Sequence, residues 1–136
     1  MSITENNKTN TERIQRNWYS IDTSGKVKHL TNNLKEVTLE LLQKEVGGNI
    51  QVLNLDYNNL LYLNEDGMNL NMERNYPATT LIRLAYPKST QAFLDGYALG
   101  TMVVCFEEYS TADRWCREQA GYKSNVEILQ NLISKN

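Results

Sequence analysis

Apolar positions repeat at two different spacings along this chain, and the switches between them mark its elements. Trp18 to Ile21 and Lys26 to Leu30 are short strand-like runs on either side of Asp22-Thr23-Ser24-Gly25, a turn signal. Leu34, Val37, Leu41, Leu42 and Val46 then recur at helical spacing on one face, predicting a helix over 34–46. Asn32 or Asn33 offers its N-cap, and Glu36 puts a negative charge near the positive end of the helix dipole. Gly47-Gly48 ends it, because glycine adopts the left-handed cap conformation at little cost. Ile50 to Leu55 and Leu60 to Leu63 flank the turn Asp56-Tyr57-Asn58-Asn59 and predict a strand pair. Glu65-Asp66-Gly67 closes the return strand.

The second half is less regular. Asn75-Tyr76-Pro77 reads as the approach to a helix with Pro77 at its first position, and Ala78 to Ala85 as two turns of it. Tyr86-Pro87-Lys88-Ser89 breaks that helix, and Gln91 to Asp95 reads as another helical turn. Gly100 to Phe106 is β-branched and apolar, the best strand by composition. Ser110 with Asp113 is a variant capping box that opens a helix over Thr111 to Ala120, stopped by Gly121. Ser124 with Glu127 repeats the device for a helix over Val126 to Lys135, whose apolar face carries Val126, Leu129, Leu132 and Ile133. The short spacing between these helices allows a hairpin. The expected architecture is one α+β domain: a small, mostly antiparallel sheet packed by the helix at 34–46, with a C-terminal helical pair. Residues 1–17 form a flexible polar arm, 18–108 the core and 109–136 the C-terminal helices.

Length and composition are consistent with this. A chain of 136 residues is one domain and buries enough surface to fold without a metal or disulfide staple. Its net charge is -2 and its pI about 5.4, which argues against direct binding to duplex nucleic acid. No apolar run reaches bilayer-spanning length, and Met1 to Asn17 has no apolar segment of the signal-peptide kind. The expectation is a cytoplasmic protein with no membrane role. Cys105 and Cys116 then read as reduced, structural thiols.

The middle of the chain resembles a known family. Leu41-Leu42-Gln43-Lys44-Glu45-Val46-Gly47-Gly48-Asn49-Ile50-Gln51-Val52 resembles its helix, Val-Gly-Gly and strand. Asn64-Glu65-Asp66-Gly67 resembles its hairpin end. Asn75, Ala78 and Thr79 match its Asn followed closely by Ala and Thr, and Gly100-Thr101-Met102-Val103-Val104 matches its closing Gly-small-Val-Val strand. This is a family of small domains of unknown function from phages and mobile elements of low-GC Gram-positive bacteria. The resemblance covers residues 18–108 and implies a context: accessory phage proteins often oppose host defences, by blocking a defence protein or by sequestering its nucleotide signal. The cytoplasm concerned would be that of the infected host.

Candidate chemistry narrows the choice. His29 is the only histidine, and no nucleophile elbow accompanies it, so it reads as non-catalytic. Glu65/Asp66 reads as turn chemistry, and adjacent carboxylates at Glu107/Glu108 on a strand point to opposite faces. No metal site or cofactor is expected, and Gly47-Gly48 lacks the Lys-Ser/Thr of a phosphate loop. The best ligand-binding candidate is Arg74-Asn75-Tyr76-Pro77-Ala78-Thr79-Thr80 with Arg83, Tyr86 and Tyr97. A helix N-terminus at Pro77 would present backbone N–H groups to an anion. Arg74, Arg83, Asn75, Thr79 and Thr80 would add donors, and Tyr76, Tyr86 or Tyr97 would stack on a base. The functional expectation is a non-enzymatic phage accessory protein that sequesters a small nucleotide-derived signal. The alternative is an inhibitor or adaptor acting on a host defence protein through the C-terminal helices and exposed aromatics. Trp18, Tyr19 and Trp115 would serve as anchors there, although the core is the commoner place for them. Homo-oligomerisation is compatible with either.

Overall fold

Asp22 starts the sheet. Its carboxylate accepts from the Ser24 N–H, the Ser24 hydroxyl and the Lys26 N–H, which turns strand β1 (Arg16–Ile21) back into β2 (Val27–Thr31). A computed structural model describes residues 15–56, 59–89, 93 and 96–121. The hairpin of β3 (Ile50–Asp56) and β4 (Asn59–Asn64) forms as its sequence predicts. Both hairpins pair with β5 (Met102–Glu107), giving a five-stranded antiparallel sheet in the order β2-β1-β5-β4-β3. Arg16 and Asn17, assigned to the arm by composition, belong to β1: they pair with Glu107 and Phe106.

The central strand explains the layers. Residues Met102 to Phe106 are all buried, because both faces of β5 are covered. Met102, Val104 and Phe106 face one core with Tyr19, Ile21, Leu61 and Leu63. Helices α2 (Tyr76–Ala85) and α3 (Thr111–Gln119) cover that side, through Ala78, Leu81, Ile82, Ala112 and Cys116. Val103 and Cys105 face the other side with Trp18 and Tyr62, under Leu42 and Val46 of α1 (Leu39–Val46). Trp18 and Tyr19 are therefore core residues, whereas Trp115 is half-buried.

The helix expected over 34–46 is two elements. Leu34–Glu36 is a single 3-10 turn, and α1 begins only at Leu39. Thr38 explains the break: extended at its backbone, it accepts the Leu41 N–H on its hydroxyl and acts as the N-cap. Leu34 is accordingly exposed and plays no part in the core. Gly47 does close the helix as expected, with φ at 81°. The segment 126–135 lies outside the described residues, as does most of 91–95.

Candidate functional site

Asn75 builds the strongest candidate site without facing it. Its Oδ1 accepts from the Ala78 N–H at 3.0 Å and so caps α2. Its Nδ2 donates to the carbonyls of Ile21, at 2.8 Å, and Gly100, at 2.9 Å. Thr79 extends the clamp: its hydroxyl donates to the Asn75 carbonyl at 2.7 Å and accepts from the Ala98 N–H at 2.9 Å. A bridge between Arg74 and Leu99 and a bond from the Gly100 N–H to the Glu73 carbonyl complete the attachment. The 96–100 segment is thus held against the start of α2.

Tyr97 is delivered by that clamp into a group of charged and aromatic side chains. The Arg74 Cζ stands 4.7 Å from the centre of its ring, and the Arg83 Cζ stands 4.9 Å away. Tyr76 meets the ring edge-on, with centroids 5.3 Å apart at 75°. Arg83 Nη2 also donates to the Gly96 carbonyl at 2.9 Å, fixing its guanidinium. Both guanidinium carbons thus lie within about 10 Å of each other, each in cation–π range of one ring. Arg74, Tyr76 and Arg83 are exposed and Tyr97 is half-buried. Guanidiniums are donors suited to anions, and tyrosine rings offer faces on which flat rings can stack.

Of the eight residues expected at the site, four therefore converge: Arg74, Tyr76, Arg83 and Tyr97. Asn75 and Thr79 are buried, with their polar atoms taken up by the backbone, and act as scaffold. Thr80 lies in an apolar groove between α2 and α3. Tyr86 sits at the far end of α2, stacked on Phe106 with its hydroxyl bonded to Asn59. The helix N-terminus also offers fewer donors than expected. Ala78 N–H goes to the Asn75 side chain, Thr79 N–H to the Asn75 carbonyl, and Pro77 has none.

Two further features were not singled out in the sequence. A cavity of about 210 Å³ uses Tyr97 as one wall and reaches Glu65 and the turn that follows β4. The second is a buried polar cluster under α3. Asp113, fully buried, accepts from Tyr19 Oη at 2.7 Å, Asn17 Nδ2 at 3.0 Å and the Tyr109 N–H at 2.9 Å. Ser110 does cap α3 by accepting the Asp113 N–H, but the Asp113 carboxylate turns inward instead of completing a capping box. Arg117 lies 3.5 Å from Asp113 and 3.0 Å from Glu108. Because Asn17 Nδ2 faces the carboxylate, its Oδ1 accepts, and His29 Nε2 at 3.0 Å is the donor. Burial, and then Arg117, push the His29 pKa below its ordinary value. Burial, followed by Asp113, pushes the Tyr19 hydroxyl up. No spacing rule marks this cluster, since Asn17, His29 and Asp113 come from three separate elements.

Cys105 and Cys116 are both free and buried. Among the described residues, no group of three or more His, Cys, Asp or Glu side chains is placed to hold a metal ion. No described helix is long and apolar enough to cross a membrane. No protein-family model, curated protein or solved structure matches the chain.

Proposed function

We propose that this domain is a non-catalytic binding protein that captures a nucleotide-derived anion at Arg74, Tyr76, Arg83 and Tyr97. The observation that carries the reading is the convergence of two guanidiniums on one tyrosine ring, with a second, exposed tyrosine beside it. Guanidiniums supply paired donors to phosphate oxygens, and aromatic faces take a base. The resemblance of residues 18–108 to phage and mobile-element domains gives such capture a purpose: removal of a host defence signal in the cytoplasm of an infected bacterium. The test is mass spectrometry of small molecules released by heat from protein purified out of cells with active nucleotide signalling. A stoichiometric phosphorylated ligand, lost in an Arg74→Ala/Arg83→Ala variant, supports capture. An empty protein, with the signal demonstrably present in the cells, counts against it.

A second reading has its own observation. The groove between α2 and α3 has a volume of about 330 Å³ and is lined by Pro77, Leu81, Leu84 and Trp115. Leu84 is 80% exposed at its rim. An exposed apolar groove with an aromatic wall suits a protein partner, so the domain would act as an inhibitor or adaptor on a host defence protein. Under that reading Leu84→Glu abolishes activity while the double arginine variant retains it. The anion reading predicts the reverse.

A further inference from the structure

The cavity beside Tyr97 has a chemistry of its own. Its walls include the apolar side chains of Leu63, Met68, Phe93 and Leu99, and its polar rim carries Glu65, Gln51 and Asn69. Asn64 also borders it, held in place by one bond from Nδ2 to the Val46 carbonyl and one from the Asp66 N–H to Oδ1. The Glu65 backbone is anchored, donating its N–H to the Asn49 carbonyl at 2.8 Å. Its carboxylate has no side-chain partner among the described residues. At Gly67 an added Cβ would stand 3.2 Å from the Leu99 Cβ, so the glycine lets the turn and the Leu99 wall approach closely.

We infer that this cavity is the base compartment of the proposed site, and that it takes the base of a guanine nucleotide. The inference rests on the anion reading of the arginine pair. Tyr97 borders both the cavity and the two guanidiniums, so a nucleotide with its phosphate on the arginines would direct its base towards the cavity that Glu65 also lines. An ionised carboxylate only accepts hydrogen bonds. It therefore selects a base edge with two adjacent donors. Guanine offers N1–H beside its 2-amino group. Adenine and cytosine each put a bare ring nitrogen next to a single amino group, and uracil puts its one N–H between two carbonyls. The Gln51, Asn64 and Asn69 amides border the cavity and can donate to the guanine 6-oxygen, and the apolar walls cover the ring faces.

The experiment is calorimetric titration of the full chain with GMP, IMP and AMP at fixed salt. GMP binds at least about tenfold more tightly than AMP, as expected for a bond pair to a charged group. IMP, which keeps N1–H and lacks the amino group, falls between them. Glu65→Gln, isosteric and on an exposed residue, removes the GMP advantage over AMP, with circular dichroism confirming the fold. Arg83→Ala weakens all three. Equal binding of GMP and AMP, both weakened by Arg83→Ala, would overturn the guanine assignment and leave the arginine reading standing. Full GMP preference retained in Glu65→Gln would overturn the role of the carboxylate. Absence of binding by all three nucleotides would remove both the assignment and the reading beneath it.

Discussion

Tyr19 on β1 donates its hydroxyl to Asp113 on α3 at 2.7 Å, and both side chains are buried. This bond joins residues 94 positions apart and ties the sheet to the helix. The two groups depend on each other unequally. Tyr19→Phe removes one of several donors to Asp113, so it should cost about 1–2 kcal/mol in urea unfolding. Asp113→Ala strands Tyr19, Asn17 and the Tyr109 N–H and takes from Arg117 one of its two carboxylate partners. It should cost about 3–5 kcal/mol. Equal costs for the two variants would contradict the assignment of Asp113 as the hub.

His29 makes the same region sensitive to acid. Its folded pKa lies below the ordinary 6.5, first because burial disfavours the charged ring and then because Arg117 faces it; Asp113 and Glu108 oppose the shift. The unfolded chain therefore binds a proton that the folded chain resists. Stability is full above about pH 6.5 and falls as pH drops below it. Chemical unfolding at pH 7.5, 6.5 and 5.5 should show this loss, and His29→Gln should flatten the profile in that window. An unchanged slope in the variant would exclude His29 as the source.

Asn75 supports both fold and site. Asn75→Ala loses the cap on Ala78 and both bonds to the Ile21 and Gly100 carbonyls. A cap is worth about 1 kcal/mol, and loss of the two carbonyl bonds, one buried and one part-buried, adds roughly 1–3 kcal/mol. Asn75→Asp keeps the cap acceptor and sets a carboxylate against the same two carbonyls, so it should rescue little. If Asn75→Asp matched the wild type in thermal unfolding, the clamp on the 96–100 segment would not depend on this amide.

The cysteines should be inert in the folded chain. Burial pushes the Cys105 thiol up to about 11 and raises Cys116 as well. Thiolate is the reactive form, so a disulfide-exchange reagent at pH 8 should label neither residue until denaturant is added, when both react. Rapid labelling of the native protein would show that one of them is accessible.

Several parts of this molecule are legible in the chain alone because they are settled by neighbours in sequence. The Asp22–Gly25 turn, the two hairpins, Gly47 as a helix stop and Ser110 as a cap each depend on a few adjacent residues. The apolar run at 102–106 announces a strand for the same reason. Arg74, Tyr76 and Arg83 could be nominated together because one short stretch carries them all. Sequence patterns do not reveal which surface a polar side chain will meet. Asn75 and Thr79 look like ligand donors until the 98–100 backbone arrives and takes up their bonding capacity. Asp113 looks like half of a capping box until β1 presents Asn17 and Tyr19. The helix expected over 34–46 is shortened because the Thr38 hydroxyl makes a better cap than a continuing turn would, with Leu34 left in water. Local turns and caps were determined by the sequence, since their partners lie within a few residues; at Thr38 the apolar spacing of 34–46 masked a cap that is just as local. The central place of β5, the inward turn of Asp113 and the grouping of two arginines around Tyr97 were decided by tertiary structure, because a hydrogen-bonding group is committed only when a distant backbone comes within about 3 Å of it.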